Sequence, residues 1–256
     1  MSIFKFFPEG WKDESLRNTN DILQGIVEEC DENYNLHVKL DNGIKGIIPR
    51  GEIEAVNLDK NGFPKTNLCT GKVHKFVQFR IKGKDGDNLV FSRKDVQNEV
   101  LKFVKTDLQI GQTIKGIVKN ITPYGAFVDI GCGIVGLVHI EDLSVARIKT
   151  PFERVKIGQK VNIVVKSIDR DTGRINLSYK ETLGSWEENA NKFTVGMKTK
   201  GIIRETEKNK NGIFVELAPN LVGMAEYKEG LNYGEQVDIF IKKIDYDKKK
   251  VKVVLS

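Results

Sequence analysis

Residues 124–140, YGAFVDIGCGIVGLVHI, admit two readings that lead to different folds. Gly131, Gly133 and Gly136 spell G-x-G-x-x-G, the pattern of a dinucleotide-binding turn. That turn needs a helix starting at its glycines, because the pyrophosphate sits on the helix N-terminus. Here the glycines lie between AFVDI and GLVHI, and both segments alternate apolar and polar residues with period two. Alternation of this kind, rich in Val, Ile and Phe, marks strands. The glycines therefore belong to a hairpin, where Gly supplies positive φ or a bulge. The corresponding stretches elsewhere, LDNGIKG and LAPNLVG, make good turns and do not keep the fingerprint. No nucleotide cofactor is expected.

Working outward, the surroundings of this hairpin recur. QGIV from Gln24, KGIV from Lys115 and KGII from Lys200 each open a unit. A strand–turn–strand element follows, then TGKVHKFVQFRIK, IGQKVNIVVKSID or YGEQVDIFIKKID, and each unit closes on LVFSRK, INLSYK or VVLS. The period of roughly 85–90 residues makes each copy a domain rather than a solenoid repeat. Each unit reads as about five short antiparallel strands, which must close on themselves to hide their edges. Between units, DVQNEVLKFV and ETLGSWEENANKF have helical character. The expected fold class is all-β: three tandem five-stranded OB-fold barrels joined by short helical linkers. The expected boundaries are a tail at 1–20, a first domain at 21–95, a linker at 96–107, a second domain at 108–181, a linker at 182–194 and a third domain at 195–256.

The bulk numbers fit a cytoplasmic binding protein. The chain has 256 residues, 39% of them hydrophobic, and no apolar run approaches the roughly 18 residues of a membrane span. The apolar start, MSIFKFFPEGW, is split by Lys5 and ended by Pro8, which argues against a signal peptide. Cys30, Cys69 and Cys132 are isolated, and so are His37, His74 and His139, so neither a metal site nor a disulfide framework is expected. A net charge of +6 suits a polyanion without proving one. There is no nucleophile elbow, Walker loop or HExxH helix, and DRDTGR lacks the distal Glu of a calcium loop. The chain reads as a non-enzyme.

Strand alternation also assigns faces. With Ala126, Val128 and Ile130 inward, Phe127 and Asp129 point out; with Val138 and Ile140 inward, Leu137 and His139 point out. Phe127 and His139 then share a face, with Tyr124 at its edge and Lys115, Lys119, Arg147 and Arg174 nearby. Rings in a basic field suit unpaired bases, at about 1–3 kcal/mol per stacked base, with the cations neutralising phosphates. A lone outward Phe reads as packing under a loop or against the next domain; the cluster favours the binding reading.

Residues 110–181, with IGQTIKGIVKNITPYGAFVDIGCGIVGLVHIEDL and VKIGQKVNIVVKSIDRDTGRINLSYKE, closely resemble the S1 RNA-binding domain, a five-stranded OB barrel. The resemblance implies an RNA face on Tyr124, Phe127 and His139, joined by Asp169 and Arg174 from the last hairpin. Asp169 accepts a hydrogen bond from a base edge or 2′-hydroxyl, orients Arg174, or serves only to shape the DRDTG turn. The outer units depart from this pattern. In the first, Tyr34 keeps an aromatic place, His37 stands for the Phe and Pro49 for the His, while Arg80, Lys82, Lys84, Arg93 and Lys94 supply charge. In the third, Phe214 and Asp245 match, Asn211 and Glu226 replace the Tyr and the His, and Lys250 or Lys252 stands for the Arg. The second unit is expected to bind best, the third less well, and the first to dock or touch phosphates.

The domain takes its name from a bacterial ribosomal protein. The implied role is therefore a monomeric, metal-free, multi-site single-stranded RNA (mRNA) binder acting in translation at the small ribosomal subunit. The tail, with Phe4, Phe6 and Phe7, would be a docking segment. An RNA regulator or decay accessory that does not stay on the ribosome, or a protein-interaction scaffold with decayed faces, are the alternatives.

Overall fold

The structure, a computed structural model, describes residues 22–86, 88–206 and 212–256. The tail at 1–20 and Asn211 lie outside the described residues. Three closed five-stranded barrels follow one another along the chain. The first is built from β1 (Leu23–Cys30), β2 (Leu36–Lys39), β3 (Lys45–Ile48), β4 (Phe76–Asp85) and β5 (Asn88–Ser92), with a short helix α1 (Thr66–Thr70) between β3 and β4. The second is built from β6 (Thr113–Thr122), β7 (Gly125–Gly131), β8 (Ile134–His139), β9 (Lys160–Ile168) and β10 (Ile175–Ser178). The third is built from β11 (Lys198–Thr206), β12 (Ile213–Ala218), β13 (Leu221–Ala225), β14 (Gln236–Asp245) and β15 (Lys250–Leu255). Helices α2 (Lys94–Thr106) and α3 (Trp186–Ala190) lie between barrels.

The expectation of purely antiparallel strands needs correction. In each barrel the third and fifth strands pair in parallel: Gly46 with Leu89, Leu137 with Asn176, and Gly223 with Val251. The reason is closure. In the first barrel the order is β1-β2-β3-β5-β4, so the last hairpin enters with its fifth strand beside the third, and both run the same way. The long connection from third to fourth strand makes that placement possible.

Period-two alternation fills each interior. In β7, Ala126, Val128 and Ile130 are buried while Phe127 and Asp129 are half-buried. The first core stacks Phe79 on Phe91, ring centroids 4.4 Å apart; the third packs Ile203, Val215, Ile239, Ile241 and Val253. Burying such side chains stabilises each barrel by roughly 1.5–3 kcal/mol per residue before entropy is charged against it.

Two glycines of the opening motif have steric explanations. Gly133 has φ +85°, and a Cβ there would overlap the Arg93 guanidinium. Gly136 lies in β8 beneath Leu177, whose side chain fills the space a Cβ would take. Neither glycine opens a helix.

The chain divides into two compact units. One holds the first barrel and α2 together with residues 129–135 and 168–174 of the second barrel; the other holds the rest of the second barrel and the third. In the first unit, α2 buries Val96, Gln97, Val100, Phe103 and Val104, the spacing of an amphipathic helix. Gln97 is fully buried and bonds in three directions. Its Nε2 donates to Glu54 Oε2 at 2.5 Å and to the Cys132 carbonyl at 3.0 Å, and its Oε1 accepts from Ala55 N–H at 2.7 Å. Arg170 donates to the carbonyls of Val104 and Leu108, both at 2.8 Å; the first is one of the groups that the end of a helix leaves unpaired, and the second lies just past that end.

In the second unit, a buried charge network joins the 145–154 segment to the third barrel. The Glu216 carboxylate accepts from Arg154 at 2.8 Å and also from Arg204, which pairs in addition with Glu153. The Tyr233 hydroxyl lies 3.0 Å from a Glu153 carboxylate oxygen. Asn220 donates to the carbonyls of Lys180 and Gly184.

Candidate nucleic-acid interface

β7 and β8 set the second barrel's ring cluster. Tyr124 is 51% exposed and meets half-buried Phe127 edge to face, with centroids 6.1 Å apart and planes at 86°. The Ile140 amide donates to the Tyr124 carbonyl at 2.9 Å, tying the start of β7 to the end of β8. Gly125 sits between them, where a Cβ would strike the Val138 carbonyl. His139, the last residue of β8, is exposed. Its Nδ1 accepts the Glu141 amide at 3.4 Å, capping a 3-10 turn over Ile140–Asp142. Ile140, expected to face inward, is half-buried because the strand has ended there. The neighbouring strand β6 carries Lys115 and Lys119, both exposed.

The β9–β10 turn carries Asp169 and Arg174. The Asp169 carboxylate accepts from Asp171 N–H at 3.0 Å, Thr172 N–H at 3.1 Å and the Thr172 hydroxyl at 2.6 Å. These bonds, the Thr172 side chain foremost, hold its pKa below the usual aspartate range, helped by the nearby Arg174 charge. Of the three roles open to Asp169, the shaping of the turn is the one drawn in its hydrogen bonds. Arg174 is exposed.

Arg147 goes to the third barrel. It pairs with Glu205 and lines a cavity of about 510 Å³ with Phe214, Met224 and Lys252. Asp245 repeats the Asp169 arrangement, accepting the Lys248 amide at 3.0 Å. It stands opposite Lys250 in the β14–β15 register, so Lys250 is the counterpart of Arg174, while Lys252 lies farther along β15 beside Met224. A second cavity of about 520 Å³ shares Met224 and Lys252 and adds Glu226 and Tyr227.

In the first barrel the expected stacking place is already filled. The Arg50 guanidinium lies 5.1 Å from the Tyr34 ring centroid and 5.2 Å from that of Phe63. It also donates to the Pro64 carbonyl at 3.3 Å and pairs with Asp59 at 3.6 Å. His37 Nε2 is 3.3 Å from the Asp31 carboxylate, which also accepts the Asn33 and Asn35 amides. Arg80 and Lys82 are paired with Glu99 and Glu52.

Residues 107–180 match the family model of the S1 RNA binding domain. The second barrel is an S1 RNA-binding domain. The three barrels repeat one five-stranded fold, and the chain is similar to the small ribosomal subunit protein bS1. The chain is 32% identical to that protein of Staphylococcus aureus (strain MRSA252) over 257 aligned residues, covering 90% of the chain. It spans 63% of the length of that relative. It is 34% identical to the Rhizobium meliloti bS1 protein, covering 66% of this chain and 32% of the relative. Among solved structures, GSP13 from Bacillus subtilis aligns with 30% identity over 31% of this chain and 61% of its own, at a TM-score of 0.30.

Among the described residues, no group of three or more His, Cys, Asp or Glu is placed to hold a metal ion, and no helix is long and apolar enough to cross a membrane. Burial pushes the Cys132 thiol up to about 12, so it is not a nucleophile at neutral pH. Sequence reasoning missed Arg50, Phe63, Tyr227 and the place of Arg147. Arg50 reaches Tyr34, and Phe63 reaches Arg50, from the irregular connection after β3, where alternation assigns no face. Tyr227 lies two residues past the end of β13 and was legible as an aromatic next to the Glu226 position.

Proposed function

We propose that the chain binds single-stranded RNA in translation, at the small ribosomal subunit, through several weak sites of which the second barrel is the strongest. The observation that carries this reading is the pair of exposed Tyr124 and half-buried Phe127 beside His139 on the barrel that matches the S1 RNA-binding model. A base stacks on the rings, and Lys115, Lys119 and Arg174 neutralise phosphates. Tandem sites raise one another's effective concentration, so each can be weak. The likeness to bS1 proteins supports the ribosomal setting.

Fluorescence anisotropy of a labelled single-stranded RNA tests it, with the wild type and Phe127→Ala/His139→Ala at two salt concentrations. The wild type is expected to bind, to weaken with salt at a slope of about −0.7 per neutralised phosphate, and to lose about 2–4 kcal/mol in the double variant, within the per-base stacking range. Equal binding by both proteins would move the site to the basic surfaces. Co-sedimentation with small ribosomal subunits tests the setting.

A second reading applies to the first barrel alone. Arg50 covers Tyr34, which favours docking or phosphate contact there over base stacking.

A further inference from the structure

The 510 Å³ cavity on the third barrel has walls from two barrels. Phe214 of β12, Met224 of β13 and Lys250 and Lys252 of β15 come from the third; Val145 and Arg147 come from the second. The loop that brings them is pinned on the third barrel's backbone and on Asn220. The Ala146 amide donates to the Pro219 carbonyl at 3.2 Å, and the Val145 amide to Asn220 Oδ1 at 3.3 Å. Glu205 then holds the Arg147 guanidinium, and it is the one carboxylate among the described residues that line the cavity.

The chemistry selects the occupant. A ring, a thioether and Val145, which is 60% exposed, offer an apolar surface to a flat partner, and the surrounding cations call for an anion. A nucleotide within an RNA strand combines both, and a cavity of a few hundred Å³ accommodates one. We propose that the second barrel completes a nucleotide pocket on the third, with the base on Phe214 and its phosphate met by Arg147. This rests on the RNA-binding reading above. The Arg147 side chain is 77% exposed, and ion pairs so exposed contribute little, so Arg147 can exchange Glu205 for a phosphate at small cost.

The test is a double-mutant cycle on the full chain, built on Tyr124→Ala/Phe127→Ala/His139→Ala so that the second barrel's ring cluster is removed. Affinity is read by anisotropy with a labelled single-stranded RNA of about 12 nucleotides, within the span of an OB fold. Arg147→Ala is expected to weaken binding about fivefold and to reduce the salt slope by about 0.7. Phe214→Ala is expected to weaken it about tenfold. The combined variant should lose less than the product of the two, because both groups hold one nucleotide, and Arg147→Lys should restore most of the affinity and the slope. An Arg147→Ala variant that binds like its parent, or two effects that simply multiply, overturns the shared pocket while leaving RNA binding intact. A wild-type chain that binds no RNA overturns the functional reading and this inference with it.

Discussion

Asp169 spends its carboxylate on the backbone of its own turn, and Asp245 does the same in the third barrel. At this scale Phe127 was legible because strand alternation fixes which way a ring faces, whereas Tyr124, which precedes β7, was placed only by its position at the strand's edge. Asp169 was legible as a position but not as a role, since a turn-forming Asp and a ligand-binding Asp look alike in sequence. Arg50 was hidden: its stacking on Tyr34 depends on how an irregular segment returns to the barrel, which no period encodes. The glycines of the opening motif lie in and between two strands, as alternation indicated, yet the reasons for Gly133 and Gly136 lie in the side chains that cover them. Gly136→Val would push a branched side chain into Leu177 in the core of the second barrel. Urea unfolding is expected to show a loss of about 1–3 kcal/mol, the usual cost of overpacking.

Single elements take their stability from partners distant in sequence. The 3-10 turn after β8 ends on Asp142, whose carboxylate is buried and accepts from Lys166 at 2.8 and 2.9 Å and from Lys180 at 3.0 Å. Burial pushes its pKa up, but the two lysines outweigh that and hold it below the ordinary aspartate value of 3.8. A lowered folded pKa gives stability that is present above 3.8 and lost as the pH falls through the lower folded value. Asp142→Asn is therefore expected to cost about 1–2 kcal/mol at neutral pH, discounted for the exposure of the lysines. The difference from wild type should shrink on acidification below that value, as followed by thermal unfolding across pH. The strands themselves were legible from period two. The parallel pairing of the third and fifth was not, because strand patterns carry no information on which neighbour closes a barrel.

Across the whole molecule, repetition in the sequence revealed three barrels, and the residues between them were less transparent. Glu216 reads as an outward strand residue, yet it is buried with Arg154 and Arg204 against it. Removing one partner of such a network leaves charges buried without compensation. Glu216→Ala is expected to lower stability by about 3–5 kcal/mol, seen as an earlier urea transition of the third barrel. The effect should change little with salt, since buried pairs are poorly screened.

Helix α2 has a consequence for how the chain is made. Synthesis delivers the first barrel and α2 before any of the second barrel exists. The Gln97 bond to Cys132 and the Arg170 bonds to Val104 and Leu108 are then missing, because their partners have not been translated. The first barrel can close early, but the Val104 carbonyl in the last turn of the helix and the Leu108 carbonyl just beyond it lack their Arg170 donor until the β9–β10 turn emerges. The second barrel thus acts as a late keystone for its predecessor, and at this joint assembly runs backwards by one helix.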